Sequence, residues 1–441
     1  MDLIITGDSL FSSTNLINRL DAKIIKLLKN SDVAFTNAEF STPQKSTAPA
    51  ANRGYVTAFR ANRLDELVNL KFNLINFANN HTGDFGVQGI IDTINAAEKR
   101  KIEPVGIGSS LDAARKPHFQ DTPDGRIAIV SAATTRSKLF LASNAGNGVP
   151  ARPGLNPLRW DQSYVLDDPE YQQLLKINHD LGTEHSAKVG SKIERWPQLD
   201  SDHFYFGSMY EDKLLIERGN TTRVKTKPDR SDLEAVKKSV LDAKRRSNFV
   251  IFSVHTHEGQ AENWYASEPA DFVKNVAHEV IDAGADIFVG HGAHFLRGIE
   301  WYHDKPILYN LGSFLMEFEA GESIIPPEMY QSYGLESGAV PSDLHEFRSQ
   351  NKNGQFVGFD ADPVFSEGVI LRLNFAELET KYQLIPIDLQ LTNKDSLKRG
   401  LPVSASLEKQ RIIINRLKKL SKKFGTYFQY DEVNHSVSFE R

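Results

Sequence analysis

Apolar residues in the first 135 positions follow two alternating periods. Short apolar runs at 3–6, 33–36, 72–78, 104–108 and 127–130 have the length and flanking turn residues of strands. Between them the spacing turns helical. Leu16, Ile17, Leu20, Ile24, Leu27 and Leu28 mark a helix over 15–29, and similar patterns mark 60–70 and 87–101. Strand and helix in succession predict an α/β layered fold.

From about 137 to 228 the rhythm breaks. The stretch is polar, with Gly, Pro and Asn throughout, and is expected to be an insertion able to cap a cleft. The α/β pattern resumes with a helix over 232–245, a strand ending at Val254, a helix over 271–283 and a strand over 285–289. After His294 the chain reads as β-rich, with strands at 295–302, 306–309, 368–374 and 382–391 around a polar loop at 320–362. These elements form one expected domain over 1–395. Residues 396–441 follow as an extension of a basic helix (407–423) and a hairpin. That helix either rests on a membrane surface or packs through its Ile/Leu stripe with its lysines in water. The stripe favours packing.

Composition narrows the classes. The 441 residues, 40% hydrophobic and 25% charged, suit an ordinary globular chain of one large domain with insertions, or two domains. A net charge of −5 without a basic stripe argues against nucleic acid as a partner. The absence of cysteine excludes disulfides and thiolate ligands, so a metal must sit on His, Asp, Glu or Asn. No apolar run reaches the ~18 residues of a membrane span. The first residues enter a strand pattern without the basic and apolar regions of a signal peptide. A cytoplasmic protein with no membrane span is therefore expected.

The chemistry gathers where apolar runs end. His255-Thr256-His257-Glu258 and Gly290-His291-Gly292-Ala293-His294 each follow a strand pattern, as do Asn79-Asn80-His81, Asp8 and Glu39. A lone His or Asp after a strand is ordinarily a surface or capping residue. Five of thirteen histidines at three strand ends point instead to a metal site. Ligands bind at such ends in open α/β sheets. Asp8, Glu39, Asn80, His255, His257, His291 and His294 are the candidate ligands, with Glu258 either a ligand or base or a solvated loop carboxylate. His81 is either a ligand or a free proton donor oriented by Asp84. Gly290 and Gly292 let the His291–His294 turn fold closely.

In this order, the segments Gly7-Asp8, Asn37-Ala38-Glu39, Ala78-Asn79-Asn80-His81 with Asp84 and Gly86, His255–Glu258, Gly290–His294 and Lys305–Phe314 resemble the CapA family of capsule and poly-γ-glutamate synthesis proteins. The Arg152–Arg159 segment and Phe424-Gly425-Thr426 resemble the family's longer, soluble branch. The family is similar in fold to calcineurin-like metallophosphatases. The resemblance implies a four-layer α/β/β/α sandwich with a two-metal site between the sheets, bridged by Glu39. Two departures stand out. Asp8-Ser9-Leu10 lacks the histidine of the metallophosphatase Asp-x-His motif, and Asn37-Ala38-Glu39 replaces a motif with two aspartates. Both weaken the case for two equally occupied metals and for simple phosphatase activity.

Together these readings predict a hydrolase that uses one or two divalent ions (manganese, zinc or iron). His81 and Asp84 would act as catalytic residues, and Arg152, Asn156 and Arg159 would bind substrate, since arginine forks match carboxylate and phosphate. The resemblance points to γ-glutamyl amide bonds, in a small molecule or a glutamate polymer, and to polymer-synthesis partners. A phosphoester substrate and a non-catalytic, metal-stabilised role are the rival readings.

Overall fold

The computed structural model describes every residue except 52–53, 208–212, 319–321, 337, 376–379, 432–435 and 441. Its elements run β1 (Asp2–Phe11), α1 (Ala22–Asn30), β2 (Val33–Ala38), α2 (Arg63–Asn69), β3 (Leu74–Asn76), α3 (Gly86–Glu98) and β4 (Pro104–Val105). Next come β5 (His118–Thr122), β6 (Gly125–Ala133), α4 (Arg230–Arg246), β7 (Phe249–Thr256), β8 (Ile287–Gly292), β9 (Ile299–Tyr302) and β10 (Lys305–Leu308). The chain closes with β11 (Ser313–Glu317), β12 (Glu367–Phe375), β13 (Thr380–Asp388), α5 (Leu407–Ser421), β14 (Tyr427–Asp431) and β15 (Ser436–Glu440).

Two compact units result, one of residues 1–159, 231–257 and 277–441, the other of 160–230 and 258–276. The first unit holds two large sheets. One has the order β14-β15-β13-β12-β1-β2-β3-β4, with β11 parallel to the second half of β1. The other runs β9-β10-β8-β7-β6-β5. Their inner faces share one core. Leu3, Ile5, Val33, Phe35 and Leu74 meet Ile127, Ile129, Ile251, Ile287 and Val289. Strand alternation sends Ile4, Ala34 and Ile75 to the opposite face, where they pack with Ile24 and Leu28 of α1, Leu64 and Leu67 of α2, and Ala96 and Ala97 of α3. On the second sheet the outward Val250, Phe252 and Phe288 are also fully buried. α4, the crossover between parallel β6 and β7, presents buried Val236, Val240 and Ala243. Lys244 of α4 is tied to Asp286 at the foot of β8, 2.8 Å away. The expected helix–sheet–sheet–helix layering follows.

Several boundaries differ from the sequence reading. β1, β7 and β8 run on through Asp8, His255 and His291, so these residues lie inside paired strands, not beyond their ends. The helix expected over 15–29 is broken at Asp21, which caps α1 by accepting from the Lys23 amide at 2.7 Å. The closing helix and hairpin are no appendage. Ile413, Ile414 and Leu417 of α5 sit in the inter-sheet core and β15 pairs with β13, which also rules out a membrane-facing stripe. Of the expected loop at 320–362, residues 320, 321 and 337 lie outside the described set. The rest carries helices Pro327–Ser332 and Pro341–Ser349, whose Met329 and Leu344 bury against Val56, Ala58 and Phe85. Among the described residues no helix is long and apolar enough to cross a membrane.

The second unit is built largely from the stretch that reads only as a break in rhythm. Strands His203–Phe206, Leu214–Arg218, Trp160–Leu166 and Arg223–Pro228 form one sheet in that order, with helices Asp168–Asp180 and Thr183–Ile193. Its core is small (Tyr171, Phe204 and Ile216), and Trp160 stacks on Phe272 at 4.9 Å. Few apolar residues at wide intervals carry this sheet, which is why periodicity misses it.

Gly7 allows β1 to approach its neighbour. A Cβ there would fall 1.8 Å from the Gly312 carbonyl oxygen, a backbone atom that cannot swing away. Gly7→Ala is expected to lower unfolding free energy by about 3 kcal/mol in urea denaturation of the metal-free protein. A change within experimental error would show that β1 and β11 separate without cost.

Candidate metal centre

Asp8 lies in β1 at a register shift between β1 and β2, where the strand stops matching its neighbour residue for residue. Its Oδ1 accepts from Asn37 Nδ2 at 2.7 Å and its Oδ2 from the Gly292 amide at 2.9 Å. Glu39 follows β2 immediately. Across the gap, β7 and β8 place His255 directly beside His291 in parallel register. Both sheets thus aim polar side chains into the space their apolar residues fill elsewhere.

Glu39 is the focus. Its Oε1 lies 3.6 Å from His294 Nε2, 3.8 Å from His255 Nε2, and 3.9 Å from both His257 Nε2 and His81 Nε2. These separations exceed hydrogen bonds and match the spacing of donor atoms around a shared cation, whose bonds to N and O run ~2.0–2.2 Å. Two donor groups emerge, Glu39–His257–His294 and Asp8–Glu39–His255, each with its ligand atoms within 4.8 Å of one another. They share Glu39. His291 completes the set, with Nδ1 3.6 Å from Asp8 Oδ1 and the ring edge-on to Phe35.

Two orphaned groups test whether a metal fits. His291 is fully buried, yet neither ring nitrogen has a hydrogen-bond partner among the described residues, and Glu39 Oε2 is likewise unpartnered. Buried polar atoms rarely stay unsatisfied. A nitrogen and oxygen donor set without thiolate suits zinc, manganese or iron. The residues fit the ion.

Electrostatics agree. Burial pushes Asp8 up to about 7, and burial together with the Asp8 and Asp84 charges holds Glu39 well above the carboxylate range. Burial lowers His291 and His294 to about 3. It also lowers His255 and His257 far below the usual imidazole value, reinforced by the neighbouring rings. Neutral imidazoles are what a metal requires.

His81 stands apart in its bonding. Its Nδ1 is 2.6 Å from Asp84 Oδ2, which also accepts from the Thr57 amide at 2.7 Å. With Nδ1 donating to Asp84, Nε2 is left to accept from Thr57 Oγ1 at 3.2 Å and faces Glu39. Asn80 sits between Asn79 and His81 in the turn after β3. Asn79 anchors that turn by donating to the Ala38 carbonyl at 2.8 Å and accepting from the His81 amide at 3.0 Å. His294 has a left-handed backbone (φ 62°) and its Nδ1 meets Ser313 Oγ at 3.1 Å. Glu258 falls in the second unit.

The expected substrate clamp is not assembled. Arg159 is committed to fully buried Asp232 through Nε and Nη2, at 2.7 and 3.0 Å, beside Arg115. Asn156 is fully buried and donates to the Ser131 carbonyl at 2.8 Å. Exposed Arg152 donates to the Leu141 carbonyl at 3.0 Å. A buried carboxylate outcompetes a solvated ligand for an arginine fork, and sequence spacing does not reveal such a partner.

Two residues were missed. Asn37 accepts from Asn76 at 2.7 Å while its Nδ2 reaches both Asp8 and His255 Nδ1, the latter at 3.2 Å. Its position two residues before Glu39, on the same strand face, is the signal that could have found it. Fully buried Arg297 donates to the His257 carbonyl at 3.0 Å, and nothing local in the sequence marks it.

Residues 4–317 match the family described as Bacterial capsule synthesis protein PGA_cap, and the chain belongs to that family. It is 32% identical over 414 residues to protein y4sH of Sinorhizobium fredii, covering 92% of this chain and 85% of that one. It is 26% identical over 287 residues to the PGA biosynthesis protein CapA of Bacillus subtilis, covering 64% of this chain and 53% of that protein. Among solved structures, a phosphatase from Mycoplasma pneumoniae aligns over 90% of this chain and 96% of its own, with 11% identity and a TM-score of 0.38.

Metal uptake should be pH-dependent in one direction. Asp8 holds its proton up to about pH 7 without an ion, whereas His291 and His294 are already neutral above about pH 3. A divalent ion must displace the carboxyl proton, so apparent affinity should climb as pH rises toward and through 7. Calorimetric titration with manganese in buffers of different ionisation enthalpy should show proton release. Affinity that is flat across neutrality would mean that Asp8 is ionised without the ion. Glu39→Gln should lower bound metal at least tenfold by elemental analysis.

Proposed function

We propose that the protein is a metal-dependent hydrolase acting on γ-glutamyl-type amide bonds of a small molecule or a glutamate polymer. The observation that carries this reading is the ring of four imidazole nitrogens around Glu39 Oε1, one of which, His81 Nε2, belongs to an Asp-paired histidine. Membership of a capsule-synthesis family supports the choice of bond. The relative from Bacillus subtilis is named a PGA biosynthesis protein, and a glutamate polymer and its synthesis partners are the corresponding substrate and assembly here.

Asp8, Glu39, His255, His257, His291 and His294 would hold one or two divalent ions, with Asn80 as a neutral oxygen ligand from the adjoining turn. Such ions, when bound, polarise a carbonyl and make water acidic enough to attack at neutral pH. The protein's own residues do the rest. Asp84 fixes the His81 ring and its tautomer, so that Nε2 presents to the reacting group. Once Nε2 has taken up a proton of its own, His81 can deliver it to the departing amine, or donate it in a hydrogen bond to the oxygen on which charge develops. Asn37 holds Asp8 and His255 at their spacing through one amide. Arg297 fixes the His257 backbone. The inter-sheet core keeps bulk water from the donor atoms, which strengthens each of these interactions.

A panel of substrates distinguishes the possibilities. Protein loaded separately with manganese, zinc or iron should cleave poly-γ-glutamate or short γ-glutamyl peptides. His81→Ala should keep its metal and lose about 10²–10⁴ in turnover, and Asp84→Asn should reduce kcat with metal content unchanged. Turnover of phosphomonoesters or phosphodiesters alone would replace this reading with a phosphoesterase. No turnover in any metal form would leave a metal-stabilised component of a polymer-synthesis assembly.

A further inference from the structure

Three asparagines stand behind the metal centre, and backbone groups decide which way each of them faces. Asn76 Oδ1 accepts from the Ala78 amide at 3.0 Å while its Nδ2 donates to the Ala78 carbonyl at 3.1 Å. Asn79 Oδ1 accepts from the His81 amide and its Nδ2 donates to the Ala38 carbonyl. Turning either side chain over would set donor against donor and acceptor against acceptor. Both Nδ2 groups also reach Asn37 Oδ1, at 2.7 Å from Asn76 and 3.4 Å from Asn79. Asn37 is thereby held with its oxygen toward the two asparagines and its Nδ2 toward Asp8 and His255. All three are fully buried, where a lost hydrogen-bond partner is costly.

That orientation fixes a hydrogen. Asn37 Nδ2 points at His255 Nδ1 from 3.2 Å, so Nδ1 must accept, and the ring carries its one hydrogen on Nε2. Nε2 is the nitrogen that faces the centre, 3.1 Å from His257 Nε2 and 3.8 Å from Glu39 Oε1. Donating there, it meets a lone pair on His257 Nε2. His294 is arranged the opposite way. Its Nδ1 has two oxygens to donate to, Ser313 Oγ at 3.1 Å and Asp8 Oδ2 at 3.5 Å, which leaves a lone pair on the Nε2 that faces Glu39. The two donor groups that share Glu39 are therefore unequal. In Glu39–His257–His294 both imidazoles present lone pairs inward. In Asp8–Glu39–His255 the imidazole presents an N–H, and each Asp8 oxygen already accepts from one, from Asn37 or from Gly292. A metal needs the nitrogen lone pair. For His255 to supply it, the hydrogen must pass to Nδ1 and Asn37 must turn its oxygen to meet it, against the two side chains that hold it.

We propose that the two groups fill in order, the first ion on Glu39, His257 and His294 and the second, more weakly, on Asp8, Glu39 and His255. Asn37 is the positioning residue that sets this order through the His255 tautomer. The inference rests on the metal-holding part of the function above, not on the bond that is cut.

The test uses the full chain and zinc, and is read by nitrogen NMR of isotope-labelled histidines and by calorimetry, independently of turnover. In the metal-free protein His255 should show the Nε2–H tautomer. Zinc should then shift the His257 and His294 Nε2 resonances with the first equivalent and the His255 resonance with the second, in two calorimetric steps at least about tenfold apart in affinity. Asn37→Leu removes the donor without adding charge. It should tighten the second step at least about tenfold and leave the first within about threefold. Weakening of both steps would mean that Asn37 is only a spacer, and overturns the proposal. Asn76→Asp serves if the leucine disturbs folding. Its carboxylate accepts from Asn37 Nδ2, turns that side chain over, and should move the His255 hydrogen to Nδ1. Nδ1–H on His255 in the metal-free parent, or a His255 response to the first equivalent, overturns the order of filling while leaving a zinc-binding hydrolase intact. Absence of any zinc uptake discards the metal-dependent reading and the order with it. Two-step uptake without γ-glutamyl cleavage keeps the order and discards the amide substrate.

Discussion

Two carboxylates, Asp8 and Glu39, are enclosed between two sheets with imidazoles as their nearest ionisable partners. Everything else at the centre follows from that constraint. Leaving water costs a bare carboxylate several kcal/mol, and a second carboxylate nearby raises the cost. The polypeptide could offset it with a lysine, but supplies uncharged imidazoles instead. Positive charge has to come from outside. The protons that Asp8 and Glu39 retain without metal, and the unpartnered nitrogens of His291, are two expressions of one deficit.

Much of this was legible beforehand, for a definite reason. Apolar strands that end in His, Asp or Asn are unusual, and their repetition could be seen without knowing which strands pair. What could not be seen was that β1, β7 and β8 do not end at Asp8, His255 and His291. Polar residues inside a paired strand look like a terminus when only hydrophobicity is read, and the pairing of His255 with His291 depends on which strands become neighbours. Arg297 and Asn37 were hidden or overlooked on similar grounds, since their partners are distant in sequence. The arginines near 152–159 were misleading in the opposite way. The partner of Arg159, Asp232, is more than seventy positions away and fully buried. A residue type suited to a ligand had already found one inside the protein.

The second unit shows where pattern reading thins out. Its small core leaves most of its sheet two-sided and polar, so local periodicity carries little information. The C-terminal strands were legible as strands but not as part of the main sheet, because their pairing with β13 joins segments whose separation no local pattern encodes. Membership of a capsule-synthesis family accords with the ordered set of motifs. Asn37 links Asp8 and His255 through one amide.

β1 is synthesised long before its neighbours on one side, which come from the far part of the chain. Asp8 lies beside Ser313, and Asp2 beside Asn374. The first strand must wait for these partners, and Asp8 waits with it, as do the histidines that emerge only at 291 and 294. No ion can be enclosed while the chain is still short. An ion held by these donors would therefore enter a fold whose late strands are already in place.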